Sequence, residues 1–195
     1  MRFAATFFTL ALAGLSLAAP SVDQETTSPS LAARAAWADT IWLRSADDFC
    51  MIMPKVRSTI GDSEYPGGTR SYCTKPANSA QGRIVDGLWT KKFFSSKRGK
   101  SGGRQVQITG CINPSASSRL IPSDDGGQYD ALGGDGGKGN PRNSVCLGYK
   151  AYVELVEPAA NRACIRCCEN PSDCPLYLDT AGCPAVIPGR YDGCS

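Results

Sequence analysis

Four aspartates crowd one short glycine-rich stretch. Asp124 and Asp125 precede Gly126-Gly127, Asp130 follows Gln128-Tyr129, and Asp135 sits between two glycine pairs. Several carboxylates on a pliable loop suit a hard cation such as calcium. Asp124, Asp125, Asp130 and Asp135 are therefore candidate calcium ligands. The spacing is not that of an EF-hand loop, and one glycine–aspartate run lacks the tandem repeats of calcium-binding β-rolls. Paired carboxylates also hydrolyse glycosidic bonds, one as acid and the other as base or nucleophile. On that reading Asp125, Asp130, Asp135 and Glu154 are the candidate catalytic groups and a wall polysaccharide is the substrate class. The plainer alternative, which the sequence favours, is a long turn whose aspartates accept hydrogen bonds from nearby backbone N–H groups.

A second constellation is basic. Lys91, Lys92, Lys97, Arg98, Lys100 and Arg104 run without an intervening acid and enclose Phe93-Phe94. Lys91, Lys92, Lys97 and Arg98 are candidate contacts for an anionic polysaccharide. The alternative is a solvated hairpin tip, because Ser95-Ser96 and Ser101-Gly102-Gly103 mark a mobile loop. Lys97-Arg98 is also a dibasic pair that a secretory protease can cut. The formal charge of the whole chain is only +3, too small for a global argument about polyanions, and no nucleic-acid partner is expected. A third candidate is Glu154, which alternation places opposite Val153 and Leu155. A buried glutamate there would mark a functional site; an exposed face is the expectation.

The chain has no histidine. That removes Ser-His-Asp and Cys-His catalysis and every histidine metal site. It does have ten cysteines: Cys50, Cys73, Cys111, Cys146, Cys164, Cys167, Cys168, Cys174, Cys183 and Cys194. Cys164-x2-Cys167 has the spacing of zinc ligands, but an even count in an oxidising compartment predicts five disulfides. The expected pair is Cys50–Cys73, which closes a loop of about two dozen residues and contributes a few kcal/mol. Cys111 and Cys146 are expected to reach the tail, with partners among Cys164, Cys167 and Cys168. No metal or other cofactor is expected beyond the calcium candidate.

These side chains need a scaffold. Residues 1–19 read as a signal peptide: a charged start, a short apolar run, then Ala18-Ala19. Residues 20–36 read as a flexible leader, and 37–195 as a single disulfide-rich secreted domain. That apolar run is shorter than the roughly 20 residues a spanning helix needs, and no second long apolar run follows. Phe49–Met53 and the alternating Gln105–Thr109 are strand signals. Val145–Val156 reads as one central strand, Ala159–Cys168 as one or two helical turns, and the remainder as loop. The expected class is mainly β: a small disulfide-stabilised sandwich or barrel with a short helical turn and a cysteine-rich C-terminal cap.

The chain resembles a group of cysteine-rich secreted proteins of filamentous fungi that have no established activity. The resemblance rests on Asp48-Phe49-Cys50, Ile60-Gly61-Asp62, Tyr72-Cys73-Thr74-Lys75, Val106–Gly110, the stretch from Asp125 to Pro141, Gly182-Cys183 and Pro188-Gly189-x-Tyr191. Where many members carry a histidine and a further acid in the aspartate–glycine stretch, this chain has neither. The resemblance implies a secreted fungal product acting at a host or cell-wall surface, and no reaction. The function expected is therefore that of an extracellular, non-enzymatic, effector-like monomer that binds a wall polysaccharide or a host surface protein. The alternative is a carboxylate-dependent hydrolase of a wall polysaccharide.

Overall fold

The computed structural model describes residues 37–178 and 180–194. The expected signal peptide and leader lie outside the described residues. In chain order the strands are β1 (Thr40–Ile41), β2 (Leu43–Ser45), β3 (Asp48–Pro54), β4 (Thr69–Cys73), β5 (Gly82–Arg83), β6 (Trp89–Arg98), β7 (Arg104–Ile112), β8 (Gly127–Asp130), β9 (Val145–Cys146), β10 (Ala151–Glu157) and β11 (Arg162–Cys168). They form a five-stranded sheet in the order β6-β7-β11-β10-β8, a four-stranded sheet in the order β2-β3-β4-β5, and a pair β1-β9. The fold is mainly β, as expected, and among the described residues no sheet closes into a barrel. A short helix α1 (Cys183–Val186) lies in the tail.

Alternation decides how the layers stack. In β7 the residues Val106, Ile108 and Ile112 turn to one face, and Gln105, Gln107, Thr109 and Cys111 to the other. The first face joins Tyr152, Val156, Ala163, Ile165 and Cys167 in a core shared with Phe49, Met51 and Ile52 of the four-stranded sheet. Phe49 meets Trp89 edge to face across that core, with ring centres 5.5 Å apart. On the second face Ala151, Val153, Leu155, Cys164 and Cys168 pack against Cys174, Cys183, Val186 and Ile187 of the tail. The tail is thus a third layer with its own small core. Each fully buried Val, Leu or Ile there contributes about 1.5–3 kcal/mol.

Two elements depart from expectation. Only Pro158–Ala160 forms a helical turn; Arg162–Cys168 is a strand in the middle of the larger sheet, paired with both β7 and β10. Its cysteines serve as small apolar side chains on both faces, so neither periodicity is visible in the sequence. The apolar run from Val145 is two strands, because Gly148 takes a positive φ of 82° and turns the chain. The aspartate–glycine stretch also yields the edge strand β8, where a regular element is not expected from so much glycine.

All ten cysteines pair. Cys50–Cys73 forms as expected, bridging β3 and β4. Cys146 takes Cys167, within the expected set. Cys111 does not take a partner there; it bonds Cys194, because it faces the tail side of the sheet, where Lys91 Nζ also donates to Asp192 O at 2.9 Å. Cys164–Cys183 and Cys168–Cys174 bolt the tail to β11.

Candidate functional site

The β6–β7 hairpin carries the basic residues, and its register sets where they point. Lys97 pairs with Gln105 and Arg98 with Arg104. The turn between them closes through Gly99 N donating to Gly103 O at 2.9 Å and Gly102 N donating to Gly99 O at 3.0 Å. This turn is docked on the tail-side loop after β11. Ser101 N donates to Asp173 Oδ1 at 2.9 Å, and Arg104 N donates to Glu169 Oε2 at 2.9 Å. The Arg104 contacts hold the Glu169 carboxyl below its ordinary pKa. Gly99 lies so close to the Asp173 carboxylate that any Cβ at 99 would overlap it. The expected free tip is therefore a turn anchored by hydrogen bonds.

The basic residues divide into two groups. Lys91 is tied to Asp192 O, Lys92 to Asp47 at 3.3 Å, and Arg104 to Glu169. Lys97, Arg98 and Lys100 instead line a cavity of about 570 Å³ between the hairpin and the tail, together with Gln105, Arg166 and Tyr177. Among the described residues the side chains of Lys97 and Lys100 make no hydrogen bond or ion pair. Arg98 donates only to Gly102 O, at 2.7 Å. Among the described residues the cavity lining holds four cations, Lys97, Arg98, Lys100 and Arg166, and one acid, Asp173.

Arg166 and Asp173 build the wall. Arg166 Nε and Nη2 both donate to Gln107 Oε1, at 3.1 and 3.0 Å, and Nη1 donates to Asp173 O at 3.2 Å. Burial works to lower the Arg166 pKa, and the nearby Asp173 opposes this. Gln105 Nε2 donates to the same Gln107 oxygen at 3.1 Å. Tyr177 stands at the rim with 83% of its surface exposed. Arg166, Asp173 and Tyr177 give no signal in the sequence as site residues. Arg166 hides between cysteines in a misread strand, and Tyr177 is an isolated aromatic in a proline-rich tail.

The aspartates are placed differently. Asp124 accepts from Ile60 N at 2.8 Å and from Gly126 N at 3.1 Å. Asp130 accepts from Leu132 N at 2.9 Å, from Gly133 N, and from Gln128 Nε2 at 3.2 Å. These carboxylates shape the turns around them. Asp125 and Asp130 share a second cavity, of about 490 Å³, with Glu64 and Glu157. Glu157 is itself engaged, by Arg162 and by Cys183 N. Asp135 stands apart in an exposed turn. Among the described residues no group of three or more His, Cys, Asp or Glu side chains is placed to hold a metal ion.

Glu154 is not on an exposed face. It is fully buried between the sheets, where both its oxygens accept from Ile52 N, at 3.0 and 2.9 Å. The physical reason is an incomplete ladder. Cys50 N donates to Trp42 O, but two residues further along β3 the neighbouring chain has left to pair with β9. Glu154 supplies the acceptor that the missing strand does not. Burial holds its carboxyl well above the ordinary range, with the Ile52 bond opposing. It opens onto neither cavity, so the four candidate catalytic acids do not come together.

The chain is similar to the appressorium protein ROW1 of Mycosarcoma maydis, with 30% identity over 167 residues. That alignment covers 78% of this chain and 37% of the relative, so the chain spans little more than a third of that protein's length. No family model matches the chain. No solved structure matches it.

Proposed function

We propose that this chain is a secreted, non-enzymatic, effector-like protein of the extracellular space, whose basic cleft binds a negatively charged component of a cell wall or host surface. One observation carries the reading: Lys97, Arg98 and Lys100 converge on one cavity with Lys97 and Lys100 unpaired, while the other cations of the stretch are spent inside the protein. Unpaired cations around a concavity focus potential and attract anions. Five disulfides suit an oxidising, extracellular setting, and the likeness to a fungal appressorium protein supports a fungal origin. The hydrolase reading has less support, since Asp130 is spent on backbone N–H groups and Glu154 lies in the core.

The test is retention on insoluble wall fractions. Wild type is compared with the triple variant Lys97→Ser, Arg98→Ser, Lys100→Ser and with the pair Lys91→Ser, Lys92→Ser. Retention should fall at least tenfold for the triple variant and stay near wild type for the pair. Equal retention of all three proteins would refute the cleft as the contact surface.

A further inference from the structure

We infer that the basic cleft takes a carboxylated polysaccharide, a chain of uronic-acid-type sugars, whose carboxylates meet Lys97, Arg98 and Lys100 while a sugar ring lies against Tyr177. The inference rests on the reading of this cleft as the binding surface and narrows it to one ligand class.

Shape comes first. The site is a concavity of about 570 Å³, within the range of about 300–1,000 Å³ typical of pockets for small ligands. A flat anionic bilayer cannot enter it; a flexible single chain of sugars can. Surface comes next. Tyr177 is, among the described residues, the most exposed large apolar side chain at 83%, and it sits on the cleft rim beside Leu178. An aromatic face is electron-rich and the C–H face of a sugar ring is weakly positive, so the two pack well. A purely ionic site has no use for such a ring. The walls add Pro175 and Pro188, further surface suited to the apolar faces of sugars.

The donors also discriminate. A phosphate site usually offers forked guanidinium donors or a nest of backbone N–H groups. Here three nitrogens of Arg166 are already committed to Gln107 and Asp173, and Arg98 spends one on Gly102. What remains for a ligand is the ammonium groups of Lys97 and Lys100 and the Nε–Nη2 edge of Arg98, whose bond to Gly102 uses Nη1. The ammonium groups are point charges on flexible stems, suited to single negative charges spaced along a chain, and the guanidinium edge matches a carboxylate. Gln105 uses its nitrogen on Gln107, which leaves its oxygen as an acceptor for a sugar hydroxyl.

The experiment is a titration of the full chain with polygalacturonate, its fully methyl-esterified form and a sulfated glycan. It is run at several salt concentrations on wild type, on Lys97→Ser with Lys100→Ser, on Tyr177→Ala and on Lys91→Ser. All four changed positions lie at the surface, and matched thermal midpoints confirm folding. Polygalacturonate should bind wild type at least tenfold more tightly than the methyl ester or the sulfated glycan. The double lysine variant should lose at least tenfold and show a shallower salt dependence. Tyr177→Ala should lose severalfold with its salt dependence unchanged, and Lys91→Ser should match wild type. Tighter binding of the sulfated glycan overturns the carboxylate assignment, and full affinity in Tyr177→Ala overturns the stacking. If no soluble polyanion binds but wall retention still depends on Lys97 and Lys100, this inference fails and the proposed function stands. If wall retention is indifferent to those residues, both fall.

Discussion

Glu154→Gln changes one atom of a fully buried group and separates the charge of that side chain from its shape. In the native protein Ile52 N donates to both carboxylate oxygens, and burial keeps the folded pKa well above the ordinary value. The sign follows from proton binding. Below the unfolded pKa, about 4.3 for glutamate, both folded and unfolded forms are protonated and the group has no pH effect. Above it the unfolded chain releases the proton while the folded chain keeps it. Folded protein then binds more protons than unfolded, and stability falls as pH rises, until the folded pKa is passed. The loss accrues at up to about 1.4 kcal/mol per pH unit. Urea denaturation followed by tryptophan fluorescence at pH 4.5 and pH 7.5 measures it. The glutamine variant keeps an acceptor for Ile52 N and lacks the titration, so the stability difference between the two pH values should shrink. Glu154→Leu removes the acceptor and should be about 1–3 kcal/mol less stable than the glutamine variant at pH 4.5, the cost of an orphaned buried donor. If wild type and Glu154→Gln lose equal stability between the two pH values, Glu154 is not the group that titrates and the reasoning is wrong.

Gly99→Ala drives a methyl group into the Asp173 carboxylate and should cost about 1–3 kcal/mol, as overpacking does; an unchanged denaturation midpoint would show that the turn is not docked. Gly126 has a φ of +102° and lies against the backbone of Val156 and Glu157, so Gly126→Ala should be destabilised by about 1–3 kcal/mol or more. Gly61→Ala, with nothing within 4 Å of the added atom, is its matched control and should lose far less. Removing Cys111–Cys194, whose partners are 83 residues apart, should cost about 4.6 kcal/mol by loop entropy. Removing Cys168–Cys174, six residues apart, should cost about 2.4 kcal/mol on the same basis. Similar losses in thermal or denaturant scans of the two double-serine variants would argue against a chain-entropy origin.

What the sequence disclosed follows from where information is local. The β7 strand was legible because its alternation spans five residues, and Cys50–Cys73 because the two cysteines flank a single turn region. β11 was opaque: it is buried on both faces, and cysteine carries no periodic signal. Glu154 was opaque for another reason. Its environment is fixed by a gap in a ladder of a different sheet, about a hundred residues away in sequence. The basic stretch was visible as composition, yet its division into spent and unspent cations depends on Asp47, Glu169 and Asp192, which only the folded chain brings near. Asp173 and Tyr177 enter the site solely because the tail folds back.

The distribution of the disulfides has a consequence for the integrity of the molecule. Cys50–Cys73 closes within the first half, and the other four bonds close among residues 111–194. Between Cys73 and Cys111 the two halves share one covalent connection, the peptide backbone, and it passes through the exposed Lys97-Arg98 pair. A single cut there converts one polymer into two cross-linked fragments that share the β6–β7 ladder and an apolar core but no bond. The product is a non-covalent heterodimer that migrates as one species in native gels and as two in detergent, with or without reductant.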